Sequence, residues 1–195
     1  MTQTLHFDEA TVVSALSQLA DTKASAFAAA CANRLSNEVR RLGYAFDSSD
    51  LLIGTIDIIW DALDEHHAIA ETPEAEILAA MPDEDDEPRF EAAVIEDACA
   101  ATVYALRSLR SGDPQDAAWA ARRAYETVDR HASRFINELE YTESVESQIL
   151  IHPFVQQELQ RQERDLKLIS SDGDWKCHLA SLKAFASTEA VLDLG

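Results

Sequence analysis

Apolar residues recur at steps of three and four along most of the chain, and that spacing calls for helices with one face turned inward. Leu52, Ile56, Ile59 and Leu63 show it most clearly, with Ile53 and Trp60 widening the stripe. Val12, Leu16 and Leu19 repeat it near the start, and Val155, Leu159, Leu166 and Ile169 near the end, on one face with the polar Gln162. Residues that punctuate β-rich folds are scarce, five Gly and five Pro in 195 positions, so strands joined by tight turns are disfavoured. The expected fold class is all-α, a single-domain multi-helix bundle of about seven to nine helices. That domain takes in residues 1–195.

Cap chemistry sets the boundaries. Asp8 is placed to cap a first helix running to about Ala20, and Asp21 a second that ends near Gly43. The second carries an Ala-rich face of Ala24, Phe27, Ala28, Cys31 and Leu35, which permits close helix contact. Ser48, Ser49 and Asp50 precede a third helix, Leu51 to about Ala68, whose apolar character marks it as central. Thr72, Pro73 and Glu74 read as the cap and first turn of a short fourth helix ending near Met81. A fifth spans Arg89 to Arg110 and is closed by Gly112. Asp113 and Pro114 open the longest, to about Glu140, with Tyr125, Val128, Ala132, Phe135 and Leu139 turned inward. The polar stretch Thr142 to Gln148 reads as a connection. His152 and Pro153 then start a helix to about Ile169, and a last helix and tail run from Asp174 to about Val191.

The charge balance is lopsided. Sixteen Lys plus Arg against 36 Asp plus Glu give a formal net charge of -20. A surface of that sign repels nucleic acid and anionic membranes and favours a basic protein partner. Between Asp61 and Asp97 there are fourteen acids and one base, Arg89. Asp50, Gly54, Asp57, Asp61 and Asp64 follow one another at steps of four and three, so four carboxylates share one stripe of the third helix. The loop from Pro82 to Pro88 holds five consecutive acids, which repel one another and stay in water. The candidate partner-binding residues are therefore Asp57, Asp61, Asp64, Glu65, Asp83, Glu84, Asp85, Asp86 and Glu87. Arg122, Arg123, Arg130 and Arg134 are expected to pair with carboxylates, for example Glu126 with Arg130 four residues on.

Catalytic signatures are lacking. Asp61, Asp64, Glu65, His66 and His67 are the densest group of potential ligands, but no second Asp/Glu-x-x-His pair supports a di-metal bundle. His131 and His152 accompany no nucleophile motif, and no Gly-rich phosphate loop is present. The expectation is a non-enzymatic protein with no catalytic residue, metal or cofactor. Cys31, Cys99 and Cys177 are odd in number and widely spaced, which suits buried thiols in a reducing compartment. The first residues lack a signal-peptide pattern and no run reaches the length of a membrane span. The chain is expected to be cytoplasmic, as a monomer or homodimer.

Four segments together carry a family resemblance. They are Ala26 to Arg34 (AFAAACANR), Ile56 to Leu63 (IDIIWDAL), the acidic Pro82 loop leading to Ile95 to Cys99 (IEDAC), and His152 to Glu158 (HPFVQQE). In order and spacing the chain resembles the DUF416 (YjaG-like) family of helical bacterial proteins over roughly Leu5 to Ser170, with residues 171–195 as a divergent C-terminal helix and tail. It departs from the family pattern where Arg34-Leu35-Ser36-Asn37-Glu38 replaces a Pro-Asn-Tyr break. The resemblance implies an all-α domain without established activity. It also implies either a signalling link, as for housekeeping members, or the role of an immunity protein that blocks a cognate toxin, often a nuclease. Charge favours the immunity role, with a cytoplasmic signalling adaptor as the alternative and a metal-dependent hydrolase third.

Overall fold

A computed structural model of the chain describes residues 4–43, 49–65, 67, 72–82, 90–136 and 143–193. These form nine helices in chain order: α1 (Glu9–Leu16), α2 (Asp21–Arg41), α3 (Ser49–Glu65), α4 (Thr72–Ala79), α5 (Phe90–Ser111), α6 (Pro114–Ser133), α7 (Glu143–Leu150), α8 (Pro153–Ser170) and α9 (Trp175–Thr188). The all-α expectation holds. The expected caps form at Asp8 and Asp113, and Asp174 caps α9 in the same way, each carboxylate accepting from the backbone N–H two residues on; Asp21 instead opens α2 as its first helical residue, behind an Ala20 N-cap that makes no side-chain bond. Gly43 and Gly112 close α2 and α5 at φ 66° and 71°. At Gly112 a side chain is excluded twice over, because a Cβ would also sit 2.7 Å from the Asp21 carboxyl.

The axis of the fold is α2, which corrects the expectation that α3 is central. Every residue from Ala24 to Ser36 is buried, and α2 packs against α3, α5, α6, α8 and α9. Its six alanines in that span let neighbouring axes close in on all sides, where larger side chains would hold them off. By contrast α3 buries one side, Leu52, Ile56, Ile59, Trp60 and Leu63, and exposes the other. One apolar cluster draws residues from all nine helices, from Val12 to Leu192.

Three further expectations are corrected. The inner stripe of α6 does not continue through Phe135, because the helix ends at Ser133; Phe135 is 60% exposed, and Leu139 lies outside the described residues. The polar stretch from Thr142 contains α7, which two residues at i and i+4, Val145 and Ile149, anchor to the core. Acids in its first turn, Glu143 and Glu146, complement the helix dipole. Cys31 and Cys99 are buried, but Cys177 lies on the outer side of α9, its thiol donating to Asp174 Oδ2 at 3.3 Å.

Candidate functional site

The exposed side of α3 presents Asp57, Asp61, Asp64 and Glu65, all at the surface. Helical periodicity puts them there: they interleave with Ile56, Ile59, Trp60 and Leu63, whose burial turns the acids outward. Ile58 stands among them 43% exposed, an apolar side chain on a charged surface. Lys183 of α9 comes within 3.7 Å of Asp61, and His67 Nδ1 lies 3.5 Å from Glu65. Asp83, Glu84, Asp85, Asp86 and Glu87 lie outside the described residues.

The arginines are occupied elsewhere. Arg107 and Arg110 of α5 clamp Glu74 and tie α4 down. Burial alone would raise the Glu74 pKa, yet the two guanidinium hydrogen bonds hold it below the usual carboxylate range. In α6 the pairing differs in detail from the expected Glu126–Arg130 contact. Glu126 takes Arg122 and Arg123, while Arg130 Nη1 donates to the buried Asp97 Oδ2 at 2.8 Å, beside Thr127 Oγ1 at 2.8 Å. Arg134 stacks on Phe90 instead, 4.5 Å from its ring centre. Of the described arginines, all but Arg40 and Arg134 pair with a carboxylate.

The densest polar cluster is one that sequence reasoning missed. Arg34, on the fully buried side of α2, donates Nη1 to Asp165 at 2.6 Å and Nη2 to Glu158 at 2.9 Å, with all three side chains inaccessible to solvent. Burial works against the Arg34 charge, but the two carboxylates overcompensate and raise its pKa further. Gln162, one turn along α8, donates to Glu158 at 3.0 Å and to Ala121 O at 3.1 Å. Arg164 bridges Asp165 and Glu189. Arg161 donates to Ala190 O and Asp193 O, each at 2.8 Å, while Glu38 Oε2 accepts from Leu192 N at 3.1 Å, so the same layer fastens the C-terminal segment. A signal was present: an arginine inside an alanine run, and Glu158, Gln162 and Asp165 at steps of four and three on one face of α8. Beside Arg34, burial pushes the Cys31 thiol well above its ordinary pKa, and Cys99 is raised to about 12 for the same reason. Neither thiol carries nucleophilic thiolate near neutral pH.

His131 and His152 meet through aromatic rings. His152 stacks on Phe135 and Phe154 at 5.4 Å each, and His131 sits edge-on to the same two rings at 5.2 and 4.9 Å. Their Nδ1 atoms are shielded and without hydrogen-bond partners. Burial lowers both pKa values, with Arg134 adding to the effect at His131. Among the described residues no three His, Cys, Asp or Glu side chains converge as metal ligands.

A bundle wound around one small-residue helix, braced by a buried ion cluster and exposing one acidic helix face, defines an all-α class of protein. The chain belongs to the DUF416 family, described as proteins of unknown function, whose model matches residues 11–195. That match runs through the C-terminal segment, beyond the range over which the sequence segments carry the resemblance. The structure is similar to that of a DUF416 family protein from Shewanella baltica OS155, with a TM-score of 0.78 at 14% identity, covering 89% of this chain and 92% of that one. At that identity the likeness speaks for the fold. No curated protein matches the chain. Among the described residues no helix is long and apolar enough to cross a membrane.

Proposed function

We propose that this protein is a non-enzymatic binding protein, an immunity protein whose acidic surface occupies the basic cleft of a cognate toxin. One observation carries the reading: nearly all described arginines are spent on internal carboxylates, whereas Asp57, Asp61, Asp64 and Glu65 stand exposed on α3, with Lys183 3.7 Å from Asp61. The net charge of -20 is therefore concentrated outward on such a face. A nuclease-type toxin must present positive charge to hold phosphate, and complementary potentials of that kind steer association and set specificity. Ile58, exposed in the middle of the acids, supplies the apolar anchor around which charged rims are arranged in protein interfaces.

The test is co-purification of the intact chain with a toxin domain encoded next to it, over a salt series. A complex that weakens steeply as salt rises, and that Asp57→Asn, Asp61→Asn, Asp64→Asn and Glu65→Gln together slow in association, is the expected result. Failure of a complex to form at low salt, or of the chain to protect cells expressing the toxin, removes this reading.

A further inference from the structure

Where α2, α3 and the end of α9 meet, the surface opens into a cleft of about 220 Å³, lined by Asn33, Asn37 and Arg40 of α2, Ile53, Ile56 and Asp57 of α3, and Ser187 of α9. It is smaller than a drug-sized pocket, so it suits a molecule of few heavy atoms. Its floor holds an uncommitted donor. Asn33 is 92% buried, being 8% exposed, and its Oδ1 accepts from Trp60 Nε1 at 3.0 Å. An indole N–H can only donate, so the amide orientation is fixed and Nδ2 is the group left over. Among the described residues Asn33 Nδ2 has no protein acceptor and is not sealed from solvent, so it is a donor presented to whatever enters the cleft.

The charges around it are also unspent. Arg40 is the described arginine with neither a carboxylate nor a ring against it. Its Nη2 donates to Asn37 Oδ1 at 3.3 Å, which holds the guanidinium back along α2 towards Asn33, the direction in which helical side chains lean. The Asn37 amide nitrogen is itself fixed by Ala186 O at 2.9 Å and Glu189 O at 2.8 Å, so this support is rigid. Across the cleft Asp57 is exposed and forms no ion pair or hydrogen bond among the described residues. Ile53 and Ile56 give the wall between the charges an apolar surface. One cation, one anion, one neutral donor and an aliphatic wall within so small a volume match a zwitterion.

We propose that this cleft binds a free aliphatic α-amino acid, its carboxylate on Arg40 and Asn33 Nδ2, its ammonium on Asp57, and its side chain against Ile53 and Ile56. The assignment does not depend on the toxin reading; the two share Asp57, but Arg40 and Asn33 lie outside the acidic face, so Arg40→Gln and Asn33→Asp let them fail separately. The test is a titration of the intact, indole-labelled protein with L-leucine, followed at the three tryptophan Nε1–H signals. The Trp60 signal should shift and saturate, while those of Trp119 and Trp175 stay put. Isocaproate and isoamylamine, which each lack one charge, should bind at least about tenfold more weakly, and Arg40→Gln or Asp57→Asn should weaken L-leucine by a similar factor. Both substituted positions are exposed, and an unchanged circular dichroism spectrum verifies the fold. Asn33→Asp keeps the acceptor for Trp60, replaces the donor by an oxygen, and should abolish binding. A Trp60 signal unmoved at millimolar L-leucine overturns the proposal. So does isocaproate binding as tightly as L-leucine, which would make this an anion site.

Discussion

The buried cluster around Arg34 and the exposed face of α3 are built from the same residue types and do opposite things. In the first, three arginines (Arg34, Arg161, Arg164) meet three carboxylates (Glu158, Asp165, Glu189) in a layer whose centre, Arg34, Glu158 and Asp165, is shut off from water and whose edge, Arg164 and Glu189, is partly exposed. Each central charge there has been removed from solvent, which is tolerable only while its partner remains. In the second, Asp57, Asp61, Asp64 and Glu65 keep their hydration and lie at helical steps where like charges repel by a few tenths of a kcal/mol per pair. The inner cluster therefore constrains the fold, and the outer face leaves its charge available to a partner. A charged residue's role here follows from whether its counter-charge is inside the chain or outside it.

The sharpest way to break that contrast is Arg34→Met, which takes the close cationic partner from the fully buried Glu158 and leaves the buried Asp165 with Arg164 alone. We expect a loss of about 3–5 kcal/mol, read as a lower urea midpoint at constant slope. Replacing Glu158 and Asp165 by Leu as well should recover much of that loss, since an apolar layer carries no desolvation penalty. If the single variant is as stable as the parent, the cluster is not what holds α2 to α8.

His131 and His152 are an intermediate case, sheltered like the inner cluster but without a hydrogen-bond partner at Nδ1. Burial depresses both folded-state pKa values, so the unfolded chain takes up protons first. Above about pH 6.5 both states are neutral and the pair contributes nothing to pH dependence. Below it, stability falls until the folded form is protonated too. Urea midpoints should thus drop between about pH 7 and pH 5.5, and His131→Phe with His152→Phe should flatten that slope. An identical slope in the double variant would mean that the imidazoles are protonated in place without strain.

The smallest effect is expected at the outer face. Neutralising Asp57, Asp61, Asp64 and Glu65 together should leave thermal stability within about 0.5 kcal/mol of the parent, or raise it slightly by relieving repulsion. A marked loss would show that these acids serve the fold, and would take the contrast away.

Much of the α3 face was legible in the chain. Period alone separates Leu52, Ile56, Ile59 and Leu63 from Asp57, Asp61 and Asp64, because both sets lie on one helix and a helix repeats every 3.6 residues. The central place of α2 was harder to see, since alanine is compatible with any environment and its run signals close packing without saying on how many sides. The end of α6 at Ser133 was hidden because Phe135 and Leu139 continue the apolar period, and periodicity does not register where a helix stops. Two buried residues, Val145 and Ile149, were too few to announce α7 against its polar background.

By itself the sequence determined the helical periods, the caps at Asp8 and Asp113, and an excess of negative charge that had to appear somewhere on the surface. Which charges would be withdrawn from that surface was decided only by the tertiary structure. Arg34 and Glu158 stand 124 residues apart, and their pairing depends on α2 and α8 lying side by side. Local spacing encodes neighbours on one helix, whereas desolvation, and with it the difference between a charge that braces the core and a charge that waits for a partner, depends on what the rest of the chain brings alongside.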